Sequence, residues 1–303
     1  MAWWLVLAPL AYLWGSPPVT DTLPFRITDA RTGGEVDFRA LVGALAAADV
    51  VFVGETHDDD LAHALQDTLY GALLAAYGEV ALSLEMFETD VQPVVDEYLA
   101  GLIDLDRLLG DARAWDNHVT AYHPLVERAR AAGQPVVAAN APRRYVSLVG
   151  RRGPAALDEL PRASRAYLPR RPFRYVDTAY RRRFANLMGG VGGHGAADRE
   201  ADPDALDPFF AAQALWDATM ARSIYEQWRR GRRRGAKVFH VTGSFHVEYG
   251  QGTVSQLREL GGTRPATATI VVGEGTPGGE GIDAPRADYV VEPRAPEPER
   301  DDP

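Results

Sequence analysis

Polar side chains able to carry protons or ligate a metal stand directly behind four short apolar runs in this chain. Behind Asp49-Val-Val-Phe-Val-Gly54 come Glu55, Thr56 and His57, and behind Val80–Leu84 come Glu85, Met86 and Phe87. Behind Gln134–Ala139 come Asn140, Ala141, Pro142 and Arg143; behind Ala236–Thr242 come Gly243, Ser244, Phe245 and His246, with Glu248 and Tyr249 beyond. On extended backbone, residues two apart share a side. Glu55 and His57 therefore suit either a base with its orienting partner or two ligands of one divalent metal. His246 supplies a second imidazole, and Glu85 a further ligand or a supporting carboxylate. Zinc, manganese or iron fits such a set, with Glu55, His57 and His246 as metal ligands, although no His-Glu-x-x-His signature occurs. Asn140 and Arg143 are ligand-binding candidates, since a guanidinium pairs with a substrate carboxylate. The competing role for Arg143 is a salt bridge to Glu55 or Glu85. Gly54 and Gly243 read as residues that let the backbone turn at the strand ends.

The other histidines read as packing or surface groups: His63 on a helix, His118 and His123 near a helix start, and His240 as a satisfied core histidine. His194, in the glycine-rich run 189–195, reads as exposed and free to swing onto a ligand.

These residues are useful only if the elements bring them together. The apolar runs are short, β-branched and bounded by turn residues, as strands buried on both faces are; Ala266–Val272 is a fifth. Between them lie helical patterns: Asp58–Tyr77, most of residues 89–130, and Phe209–Trp228. The expectation is an α/β fold, a mostly parallel sheet with helices on both faces and an inserted helical lobe at about 147–213. In a parallel sheet the carboxyl ends of the strands share one edge, and ligands bind in the crevice there. Four strand ends with polar groups thus predict one pocket.

Composition narrows the function classes. The 303 residues suit a single α/β domain over 19–292, with residues 293–303 as a disordered Pro-, Glu-, Arg- and Asp-rich tail. With 32 basic and 42 acidic side chains the net charge is −10, which disfavours nucleic-acid binding. Zero cysteine removes disulfides and thiolate chemistry. Residues 1–18 read as a signal or apolar N-terminal segment, too short to span a membrane, and point to export to the periplasm or another extracytoplasmic place.

Five motifs together carry a family resemblance: Gly54-Glu-x-His57, Leu84-Glu-Met-Phe87, Ala138-Ala-Asn-Ala-Pro-Arg143, Ala212-Gln-x-Leu-Trp-Asp217 and Gly243-x-x-His246. Over about Asp49 to Leu257 the chain resembles the ChaN-like haem-binding uptake family, grouped with the Tiki and TraB proteins and the erythromycin esterases. The resemblance implies an α/β core with a helical lobe, bacterial export, and haem bound near the motif crevice, often across a homodimer. It also implies a tyrosine on the iron, which makes Tyr145, Tyr175, Tyr180 and Tyr249 candidates. The hydrolases of the group imply a different use of Glu55, His57, Glu85 and His246, as metal-assisted or general-base catalytic residues. Family members are commonly lipoproteins; with no cysteine to lipidate, this chain is not a cysteine-anchored one. Two readings result. One is a haem-binding protein of bacterial iron uptake, its cofactor's propionates on Arg143 or lobe arginines. The other is a peptidase- or esterase-like hydrolase, with or without zinc or manganese.

Overall fold

The computed structural model describes residues 24–170, 178–191, 207–260, 263–273, 282 and 284–294. Residues 1–18, Tyr175, His194 and 295–303 lie outside the described residues. Eight strands form one sheet: β1 (Phe25–Asp29), β2 (Glu35–Val36), β3 (Val50–Glu55), β4 (Val80–Glu88), β5 (Val136–Asn140), β6 (Lys237–Gly243), β7 (Thr267–Val272) and β8 (Tyr289–Pro293). Their order is β2-β1-β8-β7-β3-β6-β4-β5. All neighbours from β8 to β5 pair in parallel; β1 pairs antiparallel with both β8 and β2. The sheet is thus mostly parallel, as expected, and gains three strands (β1, β2 and β8) that the apolar runs did not announce. Pro293 closes β8, so strand structure reaches the start of the stretch read as tail.

The helices are α1 (Phe38–Ala44), α2 (Asp60–Tyr77), α3 (Gln92–Leu99), α4 (Leu105–Asp111), α5 (His118–Ala121), α6 (His123–Ala131), α7 (Arg143–Arg152), α8 (Arg162–Arg165), α9 (Thr178–Val191), α10 (Asp207–Gly231) and α11 (Gly252–Glu259). Local chemistry sets their ends. Asp59 caps α2 by accepting from the backbone N–H of Leu61 and Ala62 at 2.8 and 3.3 Å, and Gly78 closes it at φ 73°.

The strands divide their side chains between two cores. Val51, Val53, Leu82, Leu84, Phe239 and Val241 pack with Leu65, Leu69, Val95 and Leu125 of α2, α3 and α6. Val50, Phe52, Val238 and Val271 face the other way, onto Ala221, Ile224 and Trp228 of α10 and Val254 and Leu257 of α11. Alternation along each strand feeds both layers, which explains why these strands read as unbroken apolar runs. A further cluster locks α7 onto α10 through Val146, Val149 and Leu215.

The chain moves outward from β3 to β4 to β5 through α2–α6, then returns through α7–α10 to insert β6 between β3 and β4. This reversal opens a crevice beyond the carboxyl ends of β3, β6 and β4, the place where open α/β sheets take ligands.

Candidate functional site

Glu55 is the last residue of β3, and the turn behind it brings His57 back over it: His57 Nδ1 stands 2.9 Å from Glu55 Oε1. That oxygen also accepts from the Tyr122 hydroxyl at 2.6 Å, while Oε2 accepts from Gln66 Nε2 at 2.6 Å. The His57 carbonyl accepts from Asn117 Nδ2 at 2.7 Å. Glu55 is buried and spends both oxygens on neighbours, an arrangement that orients His57 through Nδ1.

A second pair mirrors the first. His246, in the helical turn after β6, donates from Nδ1 to Asp217 Oδ1 at 2.7 Å. Asp217 projects from the middle of α10, fully buried, and accepts from the hydroxyls of Thr253 (3.0 Å) and Tyr180 (2.9 Å). Gln213, one turn earlier, donates to Tyr180 Oη at 3.1 Å.

Glu85 lies between the pairs. Strand β4 continues to Glu88, past the expected end at Leu84, but its register against β5 shifts between Leu84 and Glu88. Such an irregularity re-aims side chains. Glu85 Oε2 accepts from the Gly243 N–H at 2.8 Å and from the Thr242 hydroxyl, and Oε1 lies 3.6 Å from His246 Nε2.

The two glycines earn their places by close approach rather than by turning, since neither has positive φ. A Cβ on Gly243 would sit 3.0 Å from His57 Nε2 and 3.8 Å from His246 Cδ2, so only glycine admits both rings here. A Cβ on Gly54 would fall 2.8 Å from Val247 Cγ2 and 3.0 Å from Ser244 Cα.

Charge sets the protonation states. Burial opposes a charge on His246, but the carboxylates of Glu85 and Asp217 outweigh it and push its pKa up to about 9. His57 is also raised: desolvation works against it, and the hydrogen bond it donates to Glu55, with the charges of Glu85 and Glu55, prevails. For Glu85, burial alone would raise the pKa; the neighbouring His246 and His57 hold it below the usual value. Near neutral pH His246 is therefore an imidazolium set between the Glu85 and Asp217 carboxylates, and His57 is shifted in the same direction.

Glu85 and His246 floor a cavity of about 230 Å³, also lined by Met86, Trp115, Asn140, Arg143 and Trp216. It adjoins a groove of about 430 Å³ that shares Met86, Glu88, Trp115 and Arg143 and adds Arg113, Arg144 and Ser147. Asn140 turns its Oδ1 back to the Ala141 N–H at 2.8 Å. Arg143 opens α7, exposed at the rim, and forms no salt bridge to Glu55 or Glu85. Arg113 pairs with Glu88 (2.7 Å) and Asp90 (2.6 Å), and Arg144 with Asp90.

Other expected residues lie elsewhere. Tyr145 is buried in the α7–α10 cluster, its hydroxyl 3.2 Å from Arg144 Nη2. The Tyr249 ring lies 4.7 Å beneath the Arg183 guanidinium. Among the described residues no group of three His, Asp or Glu side chains is placed to hold a metal ion. His240 is only half satisfied: Nδ1 meets Ser83 Oγ at 2.9 Å, Nε2 has no partner, and burial drives its pKa down to about 3. His118 is fully buried with neither ring nitrogen bonded. His63 stands behind Glu55, its Nε2 3.5 Å from Oε2.

Sequence reasoning did not assign Asp217, Tyr122, Gln66, Trp115 or Trp216 to the site. The signal for Asp217 and Trp216 was present in Ala212-Gln-x-Leu-Trp-Asp217, where a buried aspartate on an apolar helix face calls for a partner. Tyr122, Gln66 and Trp115 carry no comparable signal.

Comparison with known proteins adds the family. The family model described as haem-binding uptake, Tiki superfamily, ChaN, matches residues 41–257. A solved structure described as cofacial heme binding to ChaN of Campylobacter jejuni superposes with a TM-score of 0.68 at 18% identity, covering 89% of this chain and 97% of that one. The type III effector HopBA1 aligns over 84% of this chain and 91% of its own with a TM-score of 0.41 at 13% identity. No curated protein matches.

Proposed function

This chain belongs to the haem-binding uptake family of the Tiki superfamily, ChaN, and from that premise we propose that it takes haem as its cargo in the crevice beyond β3, β4 and β6. One observation carries the reading: a cavity walled by Trp115, Trp216 and Met86 opens into a groove rimmed by Arg143, Arg113 and Arg144. A flat apolar macrocycle with two carboxylates asks for that combination, aromatic and thioether surface for the ring and guanidinium for the propionates. Arg143 is the rim arginine without an ion-pair partner among the described residues. Cavity and groove together reach the size range of small-molecule sites. The residues present therefore fit haem. Capture outside the cytoplasm, with residues 1–18 directing export, belongs to the same proposal. So does a homodimer, the arrangement by which two copies would face their ligands to one another.

Haemin titrated into the purified chain tests it. A saturable Soret shift near one equivalent per chain is expected, weakened about tenfold in Arg143→Ala and in Trp115→Ala. Sedimentation with and without haemin reads the dimer. Absence of a saturable shift refutes the proposal.

A second reading, hydrolysis at the same crevice, is favoured by the paired imidazole–carboxylate geometry. Glu55 and Asp217 each fix a ring through Nδ1 and leave Nε2 for proton transfer. With its pKa raised to about 9, His246 acts as an acid near neutral pH and as a base only in alkali, and the upward shift of His57 works in the same direction. Ester or peptide cleavage that rises with pH and disappears in His57→Ala and His246→Ala supports this reading. No cleavage from pH 6 to 10 removes it.

A further inference from the structure

We infer that a corner of the molecule remote from the crevice docks on a lipid surface rich in anionic headgroups. Residues 229–234 read Arg-Arg-Gly-Arg-Arg-Arg, in a chain whose net charge is −10. Arg229 and Arg230 stand in the last turn of α10, and Arg232–Arg234 form the short helical turn that leads into β6. All five arginines are exposed, and the turn buries none of its side chains. Folding accounts for only part of this concentration. A cation in the last turn of a helix suits the helix dipole, and Arg234 is taken by Glu79 at 2.8 Å. Arg229, Arg230, Arg232 and Arg233 pair with no carboxylate among the described residues, and the nearest acid in sequence, Glu226, is taken by Arg222 at 2.7 Å. Arg229 lies over the Tyr225 ring and Arg232 over the Trp228 ring, each guanidinium carbon 5.7 Å from the centroid. The turn itself is tight: a Cβ on Gly231 would fall 2.5 Å from Ala236 Cβ. Four uncompensated guanidiniums are thus gathered at one corner.

The kind of partner follows from what this corner lacks. Protein interfaces centre on a desolvated aromatic or aliphatic anchor. The large hydrophobic side chains exposed among the described residues are Leu102, Val119, Tyr167, Met188 and Phe209, and none belongs to residues 225–237. Single-stranded nucleic acid asks for exposed rings on which bases stack, whereas Trp228 is only 4% exposed. Anionic headgroups need neither feature, because each arginine near such a surface contributes through its charge. Tyr167, which shares a groove beside β5 with Arg230, is of the amphipathic type that settles at headgroup level.

The fold sets the orientation. Arg232–Arg234 stand before the first residue of β6, Lys237, and the crevice lies beyond its last, Gly243. Seven residues of strand at about 3.3 Å each separate the two by about 20 Å, more than the Debye length of about 8 Å at physiological salt. Docked through this corner, the chain holds its crevice away from the lipid, and the acidic groups of the far side are screened from the headgroup charge.

Co-sedimentation of the full chain with vesicles tests this. Vesicles of equal parts phosphatidylglycerol and phosphatidylcholine should carry the wild-type chain down at low ionic strength, and vesicles of phosphatidylcholine alone should not. Raising the salt to about 1 M, where the Debye length is about 3 Å, should release it. Each arginine replaced by glutamine should weaken the partition about fivefold, the equivalent of about 1 kcal/mol. The variant Arg229→Gln/Arg230→Gln/Arg232→Gln/Arg233→Gln should therefore fall to background while unfolding thermally as wild type does. A control of the same net charge, Arg39→Gln/Arg107→Gln/Arg162→Gln/Arg165→Gln, should bind as wild type. No binding by the wild-type chain, equal binding to both kinds of vesicle, retained binding in the fourfold variant or an equal loss in the control overturns the inference. So does tighter capture by duplex DNA or by polyglutamate than by the anionic vesicles. No residue of the corner lines the crevice cavity or its adjoining groove, so the result is independent of haemin binding.

Discussion

Replacing His118 by leucine should make the protein more stable, and more so in mild acid. The ring is fully buried against Phe87, Tyr122 and His123, and neither nitrogen has a hydrogen-bond partner. A buried polar group left unpaired costs about 1–3 kcal/mol, while an apolar side chain of similar volume removes that cost. Burial, with a smaller contribution from the neighbouring His123, lowers the His118 pKa from 6.5 to about 4. Between those values the unfolded chain binds a proton that the folded chain refuses, so stability falls as pH falls below 6.5. From pH 7.5 to 5.5 the linkage amounts to about 1 kcal/mol for this one group. Urea unfolding at the two pH values reads both effects. His118→Leu should gain about 1–3 kcal/mol at pH 7.5 and lose about 1 kcal/mol less than wild type on moving to pH 5.5. His240 contributes with the same sign in both chains and cancels in the comparison. A variant that is less stable at pH 7.5, or that keeps the wild-type pH dependence, would show that His118 has a polar partner in the folded state and would refute the reasoning.

The alkaline limb belongs to His246. Its pKa is raised from 6.5 to about 9, so its stabilisation is complete below pH 6.5 and is lost as pH rises towards 9; thermal melts should fall across that window, and much less so in Asp217→Asn. Gly243→Ala should push the His57 ring off its hydrogen bond with Glu55, because the new Cβ would meet Nε2 at 3.0 Å. The His57 pKa, followed by NMR, should then drop towards its ordinary value, and an unchanged titration would count against the close-packed floor. Arg183 is fully buried, pairs with Glu248 at 2.5 Å and lies between the Phe245 and Tyr249 rings, tying α9 to the turn that carries His246. Arg183→Leu should cost about 3–5 kcal/mol in denaturant unfolding, the range for breaking a buried pair; a loss below 1 kcal/mol would show that this network is not what holds α9.

Much of the frame was legible in the residues. Strands β3 to β7 are buried on both faces, so each appears as an unbroken apolar run, and the helices between them carry caps and periodicity that need no tertiary context. The parallel arrangement followed, and with it the convergence of Glu55, Glu85, Asn140 and Gly243 on one sheet edge. β1 and β8 escaped because their pairing, Phe25 opposite Pro293, joins residues at opposite ends of the chain. β4 was read four residues short because the register shift that turns Glu85 has no local signature.

The chemistry of the site divides in the same way. Residue type and position along the strands determined that two imidazoles and two carboxylates meet at one edge of the sheet, and the lack of cysteine determined that any iron or metal here is held by nitrogen, oxygen or thioether. Only the tertiary structure decided which carboxylate each histidine takes, that Asp217 comes from the middle of α10, that Glu55 is consumed by Tyr122 and Gln66, and that Tyr180 gives its hydroxyl to Asp217. Strand ends are placed by sheet register, which repeats with the chain. The rotation of a packed helix is set by contacts distant in sequence, and a side chain such as Asp217 acquires its partner only when those contacts close.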